Sequence, residues 1–229
     1  MNKLSTLFSL IRYGAMRENR NVILAVFFLW GLNSAALSRE VPNLVAFGDS
    51  LTQGYGLMAG DGLVPQLQNW LIAHETQVNI INAGVSGDTT AGGLGRIDWT
   101  LTEDVSAIMI ILGGNDLLRG LSPAISRANL DGIITKARAK GAPVLLVPMA
   151  APANYGPAYQ AEFDAIFPAL AAAHEITLAT PLLAPLQGQG FAYALRHFMQ
   201  TDSIHPNPKG VAQIIKVLGP QVAAWLSQR

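Results

Sequence analysis

From residue 42 onward the chain repeats one pattern that few folds can accommodate: a short unbroken apolar run, a small polar cluster, then a longer amphipathic stretch. Apolar runs that do not alternate with polar residues belong to strands buried on both faces, which is the condition of a parallel sheet covered by helices. Strands are expected at 44–47, 78–82, 107–112, 144–147 and 176–179, and helices at 63–73, 94–101, 123–140, 159–174 and from Lys209 onward. Ser122-Pro123 starts the third of these helices as a cap followed by a first-turn proline, and Lys140-Gly141 ahead of Pro143 stops it. In the last helix Val211, Ile214, Ile215, Leu218, Val222, Trp225 and Leu226 share one apolar face, and Gly219-Pro220 should kink or split it. The alternation predicts an α/β fold, a three-layer α/β/α sandwich around a central parallel sheet of about five strands.

In such sheets ligands bind at the carboxyl ends of the strands. The first three runs each end in a polar, glycine-rich cluster: Gly48-Asp49-Ser50, then Asn82 to Thr90, then Gly113-Gly114-Asn115-Asp116. These three clusters should share one edge. Ser50, on a strand-to-helix turn, would expose both its hydroxyl and its backbone N–H, as a nucleophile must. The same stretch also fits a helix cap, by Asp49 or by Ser50 with Gln53 three residues on. A fourth cluster, Thr201 to Pro208, contains His205 with Asp202 three residues before it. An unperturbed histidine titrates at about 6.5, so it can accept a serine proton near neutral pH, and a carboxylate can fix its tautomer. His74 and His174 fall at or near expected helix ends, and none of the three other histidines, His197 included, has an aspartate placed as Asp202 is to His205.

Composition narrows the chemistry. Lys plus Arg balance Asp plus Glu at 15 each, so no net field points to nucleic acid or an anionic membrane surface. Cysteine is absent, which removes disulfides, thiolate metal sites and a cysteine nucleophile. Four scattered histidines form no ligand set of zinc-type spacing, so no metal is expected. Residues 1–38 read as a signal peptide: Arg17 and Arg20 precede the apolar run 22–32, and small residues follow. Met16 is an alternative start, and cleavage after Ala36 or after Ser38 both fit. The run of 11 residues is well short of the ~20 that span a bilayer. An exported protein with no stable membrane span is expected, residues 39–229 forming a single domain; the sequence leaves the oligomeric state open.

Taken in order, Gly48-Asp49-Ser50-Leu51, Gly84, Gly113-Gly114-Asn115-Asp116 and Asp202-x-x-His205-Pro206 resemble the motif blocks of the SGNH (GDSL) hydrolase family, in particular its bacterial arylesterase, acyl-CoA thioesterase I and lysophospholipase L1 branch. Leu112 to Gly120 and Pro152 to Tyr159 are similar to that branch as well. Ser203 stands where many members have glycine, and Leu117 where a smaller residue is common. The resemblance implies a flavodoxin-like fold, Ser50 as nucleophile, His205 as general base and acid, and Asp202 as the residue that orients His205. It further implies an oxyanion hole formed by the N–H groups of Ser50 and Gly84 and the amide of Asn115, and it implies no cofactor. Asp49 and Asp116 would brace their loops.

Leu117, Leu118 and Tyr155, with Met149 and Tyr159, would offer an apolar lining for an acyl chain or aryl ring, although each also reads as ordinary loop packing. The substrate implied is a small acyl ester or thioester, lysophospholipid included. A carbohydrate acetyl esterase and a non-catalytic exported domain that binds a small ligand remain as alternatives.

Overall fold

A computed structural model describes residues 41–228 of the 229-residue chain. The expected signal peptide, residues 1–38, lies outside the described residues. Five parallel strands form the sheet: β1 (Asn43–Gly48), β2 (Asn79–Gly84), β3 (Val105–Ile111), β4 (Val144–Leu146) and β5 (Thr177–Leu178). Their order is β2-β1-β3-β4-β5, the flavodoxin-like arrangement. Leu44, Val45, Ala46 and Phe47 of β1 and Ile108 to Leu112 at β3 are at most 1 % exposed, as the unbroken runs require. Burying each large side chain there contributes about 1.5–3 kcal/mol.

Helices cover both faces. On one side α1 (Ser50–Gln53) leads to α2 (Leu63–Ala73), and α2 packs on the last helix, Pro208–Ser227. On the other side lie α3 (Thr90–Thr100), the short α4 (Gly114–Leu118) and α5 (Pro123–Ala139), then α6 (Pro157–Asp164) and α7 (Ile166–His174). Helix α8 (Phe191–Phe198) then precedes α9 (Pro208–Ser227) and packs on it.

Two expectations about helix continuity meet different outcomes, and a proline stands at the centre of each. The stretch expected as one helix over 159–174 is two, divided at Ala165, because the ring of Pro168 collides with the carbonyl four residues back, that of Asp164. Pro220, in contrast, does not split the last helix, which runs unbroken through it. There the neighbouring residue is Gly219, and Trp70 of α2 lies so close that a Cβ on Gly219 would sit 2.6 Å from the indole. Packing of Leu218, Val222 and Trp225, all buried, outweighs the one hydrogen bond that proline deletes.

The switch point of this topology lies between β1 and β3, where successive connections leave the sheet in opposite directions. Ser50 follows β1 and Asn115 follows β3, so both stand at that crevice.

Candidate active site

Asp49 settles the local alternatives at the first cluster. It is the cap of α1, its Oδ1 accepting the Leu51 N–H at 3.0 Å, which leaves the Ser50 hydroxyl available. Ser50 opens the helix, so its own N–H has no acceptor within it. Its Oγ lies 2.8 Å from His205 Nε2, across 155 residues of sequence. On the other side of the ring, His205 Nδ1 lies 2.6 Å from Asp202 Oδ2. The second carboxylate oxygen, Oδ1, accepts the backbone N–H groups of Ile204 at 2.9 Å and His205 at 3.0 Å. Partial burial works against ionisation of Asp202, but these N–H groups and the imidazole outweigh it and bring the carboxyl down to about 2.

The turn holding Asp202 and His205 is closed by its neighbours. Met199 pairs with Pro206, Gln200 Nε2 donates to the carbonyls of Tyr55 (2.8 Å) and Pro206 (3.0 Å), and Asn207 caps α9 through the Gly210 N–H. Ser203 sits at φ +60, in the left-handed region. That backbone is what glycine adopts without strain, and it accounts for the glycine common at this position in the resembled motif. The Tyr55 ring lies 4.7 Å from the His205 ring.

Asp49 is 2 % exposed. Its Oδ2 accepts the Asn115 amide at 3.4 Å, which occupies one of that amide's two hydrogens. Burial raises its carboxyl from the ordinary 3.8 to about 6, against the lowering effects of the Leu51 N–H, His205 and Asn115. The folded protein thus keeps a proton on Asp49 up to about pH 6 that the unfolded chain releases near pH 3.8. The stability this proton contributes is complete below about pH 3.8 and is lost as the pH rises through 6. Asp49→Asn, free of that dependence, should gain on the wild type by up to roughly 3 kcal/mol between pH 4 and pH 7 in urea unfolding. Parallel stability curves for the two proteins would refute the raised value.

Asp116 is fully buried and braces the neighbouring loops, as expected. It accepts the Thr90 N–H (2.8 Å), the Thr90 hydroxyl (2.6 Å) and the Ser126 hydroxyl (2.9 Å), which ties α4 to the starts of α3 and α5.

Gly84 does not hold the place expected of it. Its N–H donates to Asn82 Oδ1 at 3.0 Å and is therefore already engaged. The reason for glycine here is contact: a Cβ would lie 2.3 Å from the Gln53 nitrogen, so β2 could not approach α1. The next glycine, Gly87, sits at φ +83, is exposed, and carries no acceptor for its N–H among the described residues. Its carbonyl takes a hydrogen bond from Arg119 Nη2 at 2.9 Å. The run of small residues from Ala83 to Gly87 did not distinguish the two glycines in sequence.

A cleft of about 440 Å³ opens beside Ser50, His205 and Asn115. Leu117 and Met149 lie buried in its wall, and Leu118 and Tyr155 stand exposed at its rim. Tyr159 is not part of it; its hydroxyl donates to the Leu121 carbonyl at 2.8 Å. The facing wall was missed in sequence: Phe191, Ala194 and Leu195 of α8, followed by Met199. Their three- and four-residue spacing was the available signal.

Residues 46–213 match the model of the GDSL-like lipase/acylhydrolase family. The chain belongs to that family. GDSL-like relatives include esterase TesA of Pseudomonas aeruginosa, 42% identical over 80% of this chain and 89% of its own length. Thioesterase 1/protease 1/lysophospholipase L1 of Escherichia coli is 33% identical over 81% of this chain and 82% of its own. Among solved structures, the psychrotrophic esterase EstA from Pseudoalteromonas, inhibited by monoethylphosphonate, superposes with a TM-score of 0.74 at 31% identity, over 81% of this chain and 98% of that one. This GDSL-like chain is accordingly a serine hydrolase with the family's α/β/α sandwich.

Proposed function

We propose that the enzyme hydrolyses carboxylic esters, and acyl thioesters and lysophospholipids of short to medium chain, by double displacement at Ser50. The observation that carries the reading is the continuous chain Asp202–His205–Ser50, with contacts of 2.6 and 2.8 Å, opening on an apolar cleft. Ser50 Oγ attacks the acyl carbon as His205 Nε2 takes its proton. The imidazolium formed is stabilised by Asp202 and returns that proton to the departing alcohol or thiol. Water, deprotonated by the same nitrogen, then releases the acid and restores Ser50.

The carbonyl oxygen becomes an anion in both halves of the reaction. Three groups suit it: the Ser50 N–H, the second Asn115 amide hydrogen and the Gly87 N–H, the last in place of Gly84 for the reason given by Asn82. Such donors act through being fixed before the charge appears. Asn115→Ala should lower kcat by about 10²–10³ in p-nitrophenyl ester hydrolysis, and an undiminished kcat would remove the amide from this role.

Leu117, Leu118, Tyr155 and the α8 wall favour an acyl chain or aryl group over a carbohydrate, which would want more polar partners than this cleft supplies. Initial rates on p-nitrophenyl esters of graded chain length test this. An optimum at acetate with steep decline beyond it would favour the acetyl esterase. The N-terminal pattern supports export to the periplasm or beyond, with residues 39–229 as a single domain. No helix among the described residues is long and apolar enough to cross a membrane.

A further inference from the structure

Two arginines outside the proton-transfer chain converge on the short loop after β2. Arg119 is one helical turn beyond Asn115, at the end of α4, and its Nη2 donates to the Gly87 carbonyl at 2.9 Å. Arg96, on α3, donates through Nε to Asp88 Oδ2 at 2.6 Å and through Nη2 to the Gly48 carbonyl at 2.9 Å. Its guanidinium also lies 4.0 Å from the centre of the Phe47 ring. Gly48 ends β1, two residues before Ser50. One arginine therefore fastens the loop to the end of the strand that leads into Ser50, and the other fastens it to the helix that carries Asn115.

This arrangement exceeds what the loop needs in order to be satisfied. The Gly87 carbonyl is exposed and could be hydrated, yet it is held by a guanidinium. A loop built from Ser86 and Gly87, the latter at φ +83, has wide backbone freedom of its own, and two charge-assisted anchors remove it. We propose that Arg119 and Arg96 are positioning residues that hold residues 85–88 as a rigid span between the Ser50 strand and the Asn115 helix, so that the Gly87 N–H stays aimed at the developing oxyanion. The proposal rests on Ser50 being the nucleophile and Gly87 an oxyanion donor. Its force comes from geometry: a misplacement on the order of 1 Å can cost about 10²-fold in rate.

Arg119 is exposed, so Arg119→Ala should fold and melt like the wild type. On p-nitrophenyl butyrate its kcat should fall about ten- to hundred-fold with KM changed less than about two-fold, the signature of an interaction that matters only in the transition state. The second readout is a butylboronic acid. Ser50 Oγ adds to boron, its proton passes to His205, and the tetrahedral boronate presents a hydroxyl oxygen where the oxyanion would be. Its inhibition constant should rise in step with the loss of kcat. Arg119→Lys, which can still offer one charged donor to the Gly87 carbonyl, should recover part of both. Arg96→Lys, which keeps the charge but loses the fork between Asp88 and Gly48, should show the same split.

Arg138→Ala, an exposed charge on α5 remote from the site, is the control expected to match the wild type. A raised KM with unchanged kcat in Arg119→Ala, an unchanged boronate affinity, or a loss of activity matched by a lowered melting temperature would each overturn the proposal. A fully active Arg119→Ala beside an inert Ser50→Ala would sink the clamp alone. Turnover in Ser50→Ala would instead remove the reading beneath it.

Discussion

Ser50→Ala should lower kcat on a p-nitrophenyl ester by about 10⁶, equivalent to about 8 kcal/mol of transition-state stabilisation. The residue has no understudy: among the described residues, the only hydroxyl hydrogen-bonded to His205 is that of Ser50. Binding and the oxyanion donors survive the substitution, so the variant should still exceed the uncatalysed rate by about 10³–10⁴. Ser50 is 7 % exposed and, among the described residues, its hydroxyl bonds only to His205, so its replacement should leave the melting temperature close to that of the wild type. Rates measured beside the wild type, with active-site titration by an organophosphonate, decide the matter: one equivalent bound to the wild type and none to the variant is the expected result. Stoichiometric labelling of the alanine variant would place the nucleophile elsewhere.

Asp202→Asn should be more damaging than Asp202→Ala. The backbone decides this. Asp202 Oδ1 receives the N–H groups of Ile204 and His205, so an asparagine must turn its carbonyl oxygen to them. Its NH₂ then faces His205 Nδ1 and donates to it. That nitrogen must become an acceptor, which moves the ring proton to Nε2, the atom that has to take the proton from Ser50. A wrong tautomer of this kind costs up to about 10⁴ in kcat. In Asp202→Ala water can reach Nδ1, since the aspartate side chain is already 34% exposed, and the ring can keep its productive tautomer. Steady-state kcat values for the two variants should therefore rank alanine above asparagine. The reverse order would show that charge, and not the ring tautomer, is what Asp202 supplies.

The sheet was legible in the sequence because the unbroken apolar runs at 44–47, 107–112 and 144–147 have no other use in a chain with so few charges, whereas the two edge strands, 78–82 and 176–179, are broken by Asn79 and Thr177. The candidate nucleophile and base stood out for a different reason: Ser50 follows such a run, Asp202 and His205 lie within one turn of each other, and the order of the four motif blocks resembles the SGNH family, which implied their roles. What sequence reasoning lost were effects that depend on contact across the fold. Gly84 and Gly87 lie three residues apart in one run of small residues, and the contacts of the first with Asn82 and Gln53 and of the second with Arg119 separate their roles. Pro168 and Pro220 carry the same local rule, yet one divides a helix and the other does not, because Trp70 and the buried face of α9 hold the second in place. Helix α8 escaped notice since its eight residues, four of them aromatic or histidine, resemble a loop that packs on a core.

The division of the site along the chain has a consequence for biosynthesis. Residues 50 to 119 contain the nucleophile, the amide and the clamped loop, whereas the base and its carboxylate arrive together on a single turn some eighty residues later. A nascent chain that has already paired β1, β2 and β3 holds an inert serine. Hydrolysis begins only when the turn at 202–205 docks and Gln200 reaches the Tyr55 carbonyl. The enzyme is thus silent until that turn has been made, and a chain cut before His205 lacks the base that would activate its serine.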